Sequence, residues 1–184
     1  MPSTTLGRPS SRLVGVIAGD LAGYRQEVDE VGRARFVPDD GGPAFAVASR
    51  VEKRFLGRTE IAVFNVDLGV SFPEKGKIEL VHTGRLKRTG VTASSVAGGQ
   101  LVRQLASRLG SDRPLSVALQ PLDFTRFEIF LGPEACHAEA ELMGASHVAV
   151  ALPPIRSYVH LHPDQRNAMV AGMIEVDRAI RTSV

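Results

Sequence analysis

The sequence predicts an α+β fold, in which about three helices pack on one face of an antiparallel sheet. Three observations favour it: a helical opening, two groups of short strands separated by a helical segment, and a helical C-terminal stretch. Short polar turns join the strands within each group, and such connections pair strands in antiparallel meanders. Strands and helices segregated in this way are typical of the α+β class.

The first predicted helix begins at Ser10 or Ser11, because serine is a favoured capping residue. Its apolar face follows three- and four-residue spacing through Leu13, Ile17, Leu21, Tyr24 and Val28. Glycines at positions 15, 19 and 23 form a second stripe, which we expect to allow close packing on the sheet. The preceding residues 1–10 are predicted to be a flexible tail, so that a single domain spans 11–184.

The first group of strands is predicted at 33–37, 44–48, 60–68, 77–82 and 86–92, where apolar residues alternate or cluster between turn signals. The segment 38–43, Pro-Asp-Asp-Gly-Gly-Pro, indicates a hairpin. A second helix is predicted at 96–109. Gly110 then stands where a C-cap glycine belongs.

The second group of strands is predicted at 124–131, 135–142, 147–152 and 155–161. The last helix begins at Pro163, since proline and the acidic Asp164 are both favoured in a first turn. Apolar residues of the first two helices coincide at a constant separation of 88 positions, as between Leu13 and Leu101. Two similar halves are therefore an alternative to an unrepeated domain.

Charge and cysteine content restrict the classes of function. Lys and Arg number 22 against 20 Asp and Glu, a net charge of +2, which argues against a dedicated nucleic-acid binder. The single cysteine, Cys136, cannot form an internal disulfide. No apolar stretch approaches the ~20 residues of a membrane span. We therefore expect a cytoplasmic protein without a membrane span.

Motifs for common catalytic and cofactor chemistry are absent from the sequence. It contains no phosphate-binding G-x-x-x-x-G-K-[ST], no dinucleotide-binding G-x-G-x-x-G, no G-x-S-x-G and no H-E-x-x-H. The sequence thus predicts no cofactor. It favours a domain that binds a small ligand or a protein partner without catalysis, and it leaves a homodimer open.

The strongest candidate ligand site is a row of polar residues on one predicted strand. Arg156, Tyr158 and His160 alternate along it, so their side chains share a face. A fixed cation, a phenol and an imidazole in line can orient an anionic ligand. Arg126, two residues before Glu128, is a fourth candidate. The alternative for the row is the polar face of an edge strand.

Histidines supply a second hypothesis. His160 and His162 are two residues apart and, with Asp164, could hold a metal ion. A metal-dependent or acid–base enzyme would then use these histidines together with Arg156 and Tyr158. The alternative is that His162 caps the last helix.

A basic patch supplies a third hypothesis. Its members lie on two segments that a sheet could bring together: Arg50, Arg54 and Arg58, then Arg85 and Arg88. Such patches hold phosphate groups or nucleic acid. The alternative is a solvated strand face.

A cavity between the sheet and the helices is the expected place for a small ligand. Met143, Met169 and Met173 are candidates to line it, because methionine adapts to irregular ligands. Filling of the core is the alternative role for these methionines.

Four stretches carry a resemblance to a known family. They are Val-Glu-Lys-Arg-Phe-Leu at 51–56, Pro-Leu-Asp-Phe-Thr-Arg-Phe-Glu at 121–128, Gly-Ala-Ser-His-Val at 144–148, and the segment 153–161. The sequence resembles a small bacterial family, the domain of unknown function 3156. The resemblance implies a free-standing bacterial domain. It contributes no catalytic residue, since that family has no assigned activity.

Overall fold

The computed structural model describes residues 7–28, 34–39, 41–54, 57–84, 89–151 and 154–183. Its helices are α1 (Ser11–Asp20), α2 (Gln100–Ser111), α3 (Arg113–Leu119) and α4 (Pro163–Arg181). Its strands are β1 (Tyr24–Val28), β2 (Ala34–Pro38), β3 (Phe45–Arg54), β4 (Gly57–Asp67), β5 (Gly76–Thr83), β6 (Gly90–Ala97), β7 (Phe124–Leu131), β8 (His137–Val150) and β9 (Ile155–Val159). The α+β prediction is confirmed.

All nine strands form one antiparallel sheet. Its order is β1-β2-β3-β4-β8-β7-β5-β6, and β9 pairs with β8 outside that path. Strands β2, β3 and β4 pair in succession as the predicted meander, and β1, which the sequence did not predict, adds an edge strand to it. The predicted continuation of the meander into β5 and β6 is wrong, because β8 pairs with β4 and β5 pairs with β7. The chain then leaves β4 and returns to it with β8, so strands far apart in sequence meet at the centre of the sheet.

Helix α1 is shorter than the sequence predicts. It begins where the Ser10 side chain accepts a hydrogen bond from the Leu13 N–H, and it ends at Asp20. Gly23 then adopts a left-handed backbone with φ of 85°, which forms a turn. Tyr24 and the residues after it pair with β2 instead of extending the helix. Strand pairing thus overrides the helical spacing of the apolar residues.

The glycine stripe does not pack against the sheet. Gly15 and Gly19 are exposed, and a Cβ added at either would meet no neighbouring atom. The predicted close approach is therefore wrong at this helix. A close approach between two helices is found instead at Gly172 of α4, where an added Cβ would clash with the Leu119 side chain of α3.

The helical connection between β6 and β7 contains two helices instead of one. Helix α2 starts at Gln100, later than predicted, and runs through Gly110, so that glycine is not its C-cap. Asp112 then caps α3, which the sequence analysis missed, by accepting a hydrogen bond of 2.9 Å from the Leu115 N–H. The same carboxylate binds Arg178 of α4 at 2.8 Å.

The two predicted halves differ in their connections, because α2 is followed by a second helix and α1 is followed directly by β1. The internal duplication stays a prediction.

Strand β8 replaces two predicted strands. Its irregular segment contains Ala145, whose φ is 68°, but pairing with β4 continues on both sides of that segment. The other edge of β8 is shared: residues before the irregularity pair with β7 and those after it pair with β9. Strands β7 and β9 therefore lie in line along β8.

The two faces of the sheet differ in what covers them. All four helices pack on one face, called the helical face, and their buried residues form a single core with those of the strands. Met169 and Met173 are fully buried in that core, as filling residues. The opposite face, called the outer face, carries charged side chains from β3, β7 and β8. Within the described residues, no helix is long and apolar enough to cross a membrane.

Candidate functional site

A bidentate ion pair dominates the outer face. The Arg50 Nε and Nη2 groups donate to the Glu141 carboxylate at 2.7 and 2.5 Å, and Nη1 donates to Glu52 at 2.7 Å. The Glu141 side chain is 1% exposed and also accepts from the Thr125 hydroxyl at 2.5 Å. Burial would raise the pKa of Glu141, but the bonds from Arg50 and Thr125 outweigh it and lower that pKa.

Arg126 lies in the same network. Its guanidinium is 3.6 Å from Glu128, 3.8 Å from Glu139 and 3.7 Å from Glu141. Burial raises the pKa of Glu139, with Arg126 opposing that rise and Glu128 adding to it. Arg126 is thus surrounded by carboxylates on the outer face. The structure does not bring it to the β9 row that the sequence analysis favoured.

A cavity of about 490 Å³ adjoins this network on the outer face. Ile61 and Val148 form part of its apolar lining, and the ion pair of Arg50 with Glu141 contributes polar atoms. Met143 lines it too, whereas the other two candidate methionines belong to the core. Two carboxylates neutralise the charge of Arg50 at this cavity. Arg58 and Ala149 also contribute to its lining.

The two residues that follow β9 anchor the C-terminal end of helix α1 to the helical face. The Asp20 carboxylate accepts from the Leu161 N–H at 2.8 Å and contacts His160 Nδ1 at 2.8 Å. The Tyr158 hydroxyl is buried beside the Asp20 carboxylate. Burial, with the nearby Asp20 carboxylate, raises the pKa of Tyr158. At the other end of α1, both oxygens of Glu60 accept from Ser10.

The two histidines proposed as metal ligands have separate surroundings. His160 contacts Asp20, and His162 occupies the N-cap position of α4, 3.7 Å from Asp164. No three His, Cys, Asp or Glu side chains come together as a metal site would require, within the residues that the structure describes. The geometry therefore gives the metal hypothesis no ligand set.

Three cations and an alanine form one cross-strand row on the helical face, which we call the cationic row. Lys53 of β3 pairs with Arg58 of β4, Arg58 with Ala149 of β8, and Ala149 with Arg156 of β9. Direct cross-strand partners project from the same face of a sheet. All three cations are exposed, and none forms an ion pair with a described residue. This end of the face is therefore positively charged.

The cationic row combines parts of two predicted sites. Arg58 belonged to the basic patch and Arg156 to the ligand row, and β8 joins their strands. Arg50 is on the opposite face of the sheet. Of the remaining patch members, the Arg54 side chain, Arg85 and Arg88 lie outside the described residues. Sequence reasoning missed Glu141 and Asp20, whose partners depend on the order of strands.

Comparison with known proteins gives one match. A family model described as a protein of unknown function (DUF3156) matches residues 19–180, which confirms the resemblance seen in the sequence. The match spans all three cations of the cationic row. Neither a curated protein nor a solved structure matches the chain.

Proposed function

The chain belongs to the DUF3156 family of proteins of unknown function, and we propose that it is a non-catalytic domain that binds a small multivalent anion on the cationic row. The family supplies no activity to transfer, so the proposal rests on the geometry of this chain. The ligand it fits carries at least two phosphate or carboxylate charges.

The placement of like charges in direct opposition carries the proposal. Lys53 and Arg58 are cross-strand partners, and both are exposed. Like charges at such positions destabilise a sheet by about 0.2–1 kcal/mol. On the outer face, by contrast, Arg50 receives two carboxylates. An anion bound to the cationic row would remove the repulsion that the protein leaves uncompensated.

The spacing of the row suits a small anion. Arg58 and Arg156 are separated by one strand, and strands lie about 4.8 Å apart, so the two backbones are roughly 10 Å apart. Ala149 between them has only a methyl side chain. Two guanidinium groups can then approach one anion from opposite sides, each with paired N–H donors that match phosphate and carboxylate oxygens.

Neighbouring groups on this face are consistent with the proposal. Arg12 is exposed in the first turn of α1, which begins where Ser10 bonds to Glu60. Glu60 stands two residues from Arg58 on the same face, but Ser10 engages both of its oxygens. The row is only four strands wide, which fits a small anion better than a long nucleic-acid backbone.

Isothermal titration with pyrophosphate tests the proposal. We expect binding by the wild-type chain, at least about tenfold weaker binding by the Lys53→Ala/Arg58→Ala double variant, and a loss of affinity as salt is added. Arg108→Ala is the matched control, because Arg108 is an exposed arginine on α2 without an ion pair to a described residue. Equal affinity of the wild type and the double variant would contradict the proposal.

A further inference from the structure

Irregular pairing of three neighbouring strands coincides at one place on the outer face. The pairing of β4 with β8 shifts after Ile61, and the pairing of β7 with β8 shifts after Phe124. Both shifts lie opposite residues 141–146 of β8, the segment that contains Ala145 with its φ of 68°. Such irregularities bend strands and are common beside binding sites. They account for the cavity of about 490 Å³ on the face opposite the helices.

Apolar side chains form most of the lining of this cavity. Ile61 is only 3% exposed although it projects from the outer face, and Val148 and Val150 beside it are half-buried. Met143 lines the same space and is 41% exposed. Pockets of ~300–1,000 Å³ with mainly apolar walls are typical of small-molecule sites, and methionine adapts to irregular ligands. The cavity therefore suits a small, mainly apolar molecule.

The charged groups of the lining are bonded to one another. All three guanidinium nitrogens of Arg50 donate to Glu52 or Glu141. The Thr125 hydroxyl donates to Glu141 as well. A charged ligand would have to displace one of these bonds or lie unpaired in a partly buried place, and both cost free energy. Arg58 also contributes to the lining, but its side chain projects from the helical face with the cationic row.

We propose that this cavity binds an uncharged, mainly apolar small molecule that carries one hydrogen-bonding group. Thr59 supplies the contact for that group. It lines the cavity as the direct cross-strand partner of Val148, and its hydroxyl forms no hydrogen bond with a described residue. A hydroxyl can both donate and accept a hydrogen bond. The site lies on the opposite face from the cationic row, so it is a second ligand site that does not depend on the proposed anion.

The composition of the lining favours a small molecule over a protein partner. The charged side chains of Arg50, Glu52 and Glu141 belong to it, and charged residues are depleted from the cores of protein interfaces. A standard interface also buries ~1,600 Å², which is more than the few lining side chains of β4 and β8 supply.

Fluorescence titration of the full chain with N-phenylnaphthylamine, an uncharged dye that emits strongly in apolar surroundings, measures this binding. We expect saturable binding of one dye molecule per chain. Val148→Asp places a carboxylate in the apolar lining and should weaken binding at least about tenfold. Val81→Asp is the matched control, because Val81 is 45% exposed on β5 and does not line the cavity. Equal affinity of the wild type and Val148→Asp, or equal weakening by both variants, would overturn the proposal.

Val148→Phe repeats the test without introducing a charge. The larger side chain fills part of the cavity, so it should also weaken dye binding at least about tenfold. Circular dichroism and retained pyrophosphate affinity would establish that this variant is folded and that the two sites are separate. A folded Val148→Phe variant with wild-type affinity for the dye would contradict binding in this cavity, whether or not the wild type binds pyrophosphate.

A charged form of the dye tests the class of ligand. Anilinonaphthalene sulfonate has the same aromatic framework with an added negative charge, so we expect it to bind this cavity at least about tenfold more weakly than the uncharged dye. Excess pyrophosphate during the titration keeps the sulfonate from the cationic row. Tighter binding of the sulfonate under these conditions, lost in Val148→Phe, would contradict an uncharged ligand.

Discussion

Cations on the two faces of the sheet differ in the carboxylates that surround them. On the outer face, Arg50 is held by Glu141 and Glu52 in an almost closed network. On the helical face, Arg58 and Arg156 have no carboxylate among the described residues. The residue type is the same on both faces, so the carboxylates on neighbouring strands distinguish a structural arginine from one available to a ligand.

The comparison also separates stability from function. A buried ion pair is costly to break by removing one partner, because the other charge stays in a poorly solvated place. An exposed cation among like charges contributes nothing to the fold and slightly opposes it. Substitutions on the outer face should therefore lower the stability of the protein, and those in the cationic row should change binding instead.

Glu141→Ala should produce the largest effect. It leaves Arg50, whose side chain is 19% exposed, without its bidentate partner, and we expect a loss of about 3 kcal/mol in the free energy of unfolding. Urea denaturation measures this loss. Glu27→Ala, which removes an exposed ion pair to Arg25, is the control and should cost less than about 1 kcal/mol. Similar losses in both variants would contradict the structural role of Glu141.

Asp20→Ala tests the carboxylate that is fully engaged on the helical face. It leaves the buried Leu161 N–H without its acceptor and removes the contact with His160, which should cost about 2 kcal/mol. Thermal unfolding measures the effect. Asp164→Ala should stay within about 0.5 kcal/mol, because that side chain is 86% exposed. A neutral Asp20→Ala would mean that this residue does not anchor α1.

The pH dependence of stability should have opposite signs for two neighbouring carboxylates. The folded-state pKa of Glu141 lies below the ordinary value of 4.5, so its stabilising effect is present above that pH and lost in acid. The folded-state pKa of Glu139 lies above 4.5, so its ionisation opposes folding as the pH rises through that pKa.

Urea unfolding of Glu141→Gln and Glu139→Gln, measured from neutral pH to below about pH 4, checks the sign of each effect on stability. At neutral pH the first variant should be less stable than the wild type and the second at least as stable. Both differences should shrink as the pH falls below about 4. Equal signs at neutral pH would refute this reading of the network.

Ala149→Glu should produce the smallest change in stability, and in the opposite direction. A carboxylate between Arg58 and Arg156 would form cross-strand ion pairs, so we expect a gain of about 0.5 kcal/mol and a loss of pyrophosphate binding. Ala149→Gln separates charge from bulk, because it should leave stability unchanged. Retained binding by Ala149→Glu would place the anion elsewhere.

Much of the fold could be predicted from the sequence because its signals are local. Strand β7 occupies the predicted residues 124–131, and α4 begins at Pro163 as its turn residues indicate. The failures occur where tertiary pairing overrides local preference. Residues of β1 continue the apolar spacing of a helix, but they pair with β2 as a strand. Strand β8 continues through Gly144 and Ala145, where the sequence predicts a turn, because it pairs with β4 on both sides of that segment.

The candidate site could be predicted only in parts. Alternation along one strand places Arg156 and Tyr158 on a shared face, as the sequence analysis proposed. Joining Arg156 to Arg58 requires the pairing of β4 with β8 and of β8 with β9, which no local pattern contains. The same pairing gives Arg50 the distant Glu141, so the sequence could not separate the structural arginine from the free ones.

The most direct test compares Arg50→Ala with Arg58→Ala, by measuring urea stability and pyrophosphate affinity for both variants. We predict that Arg50→Ala loses about 3 kcal/mol of stability and keeps its affinity while folded. Arg58→Ala should keep or slightly gain stability and bind at least about tenfold more weakly. Reduced affinity in Arg50→Ala with unchanged affinity in Arg58→Ala would contradict it.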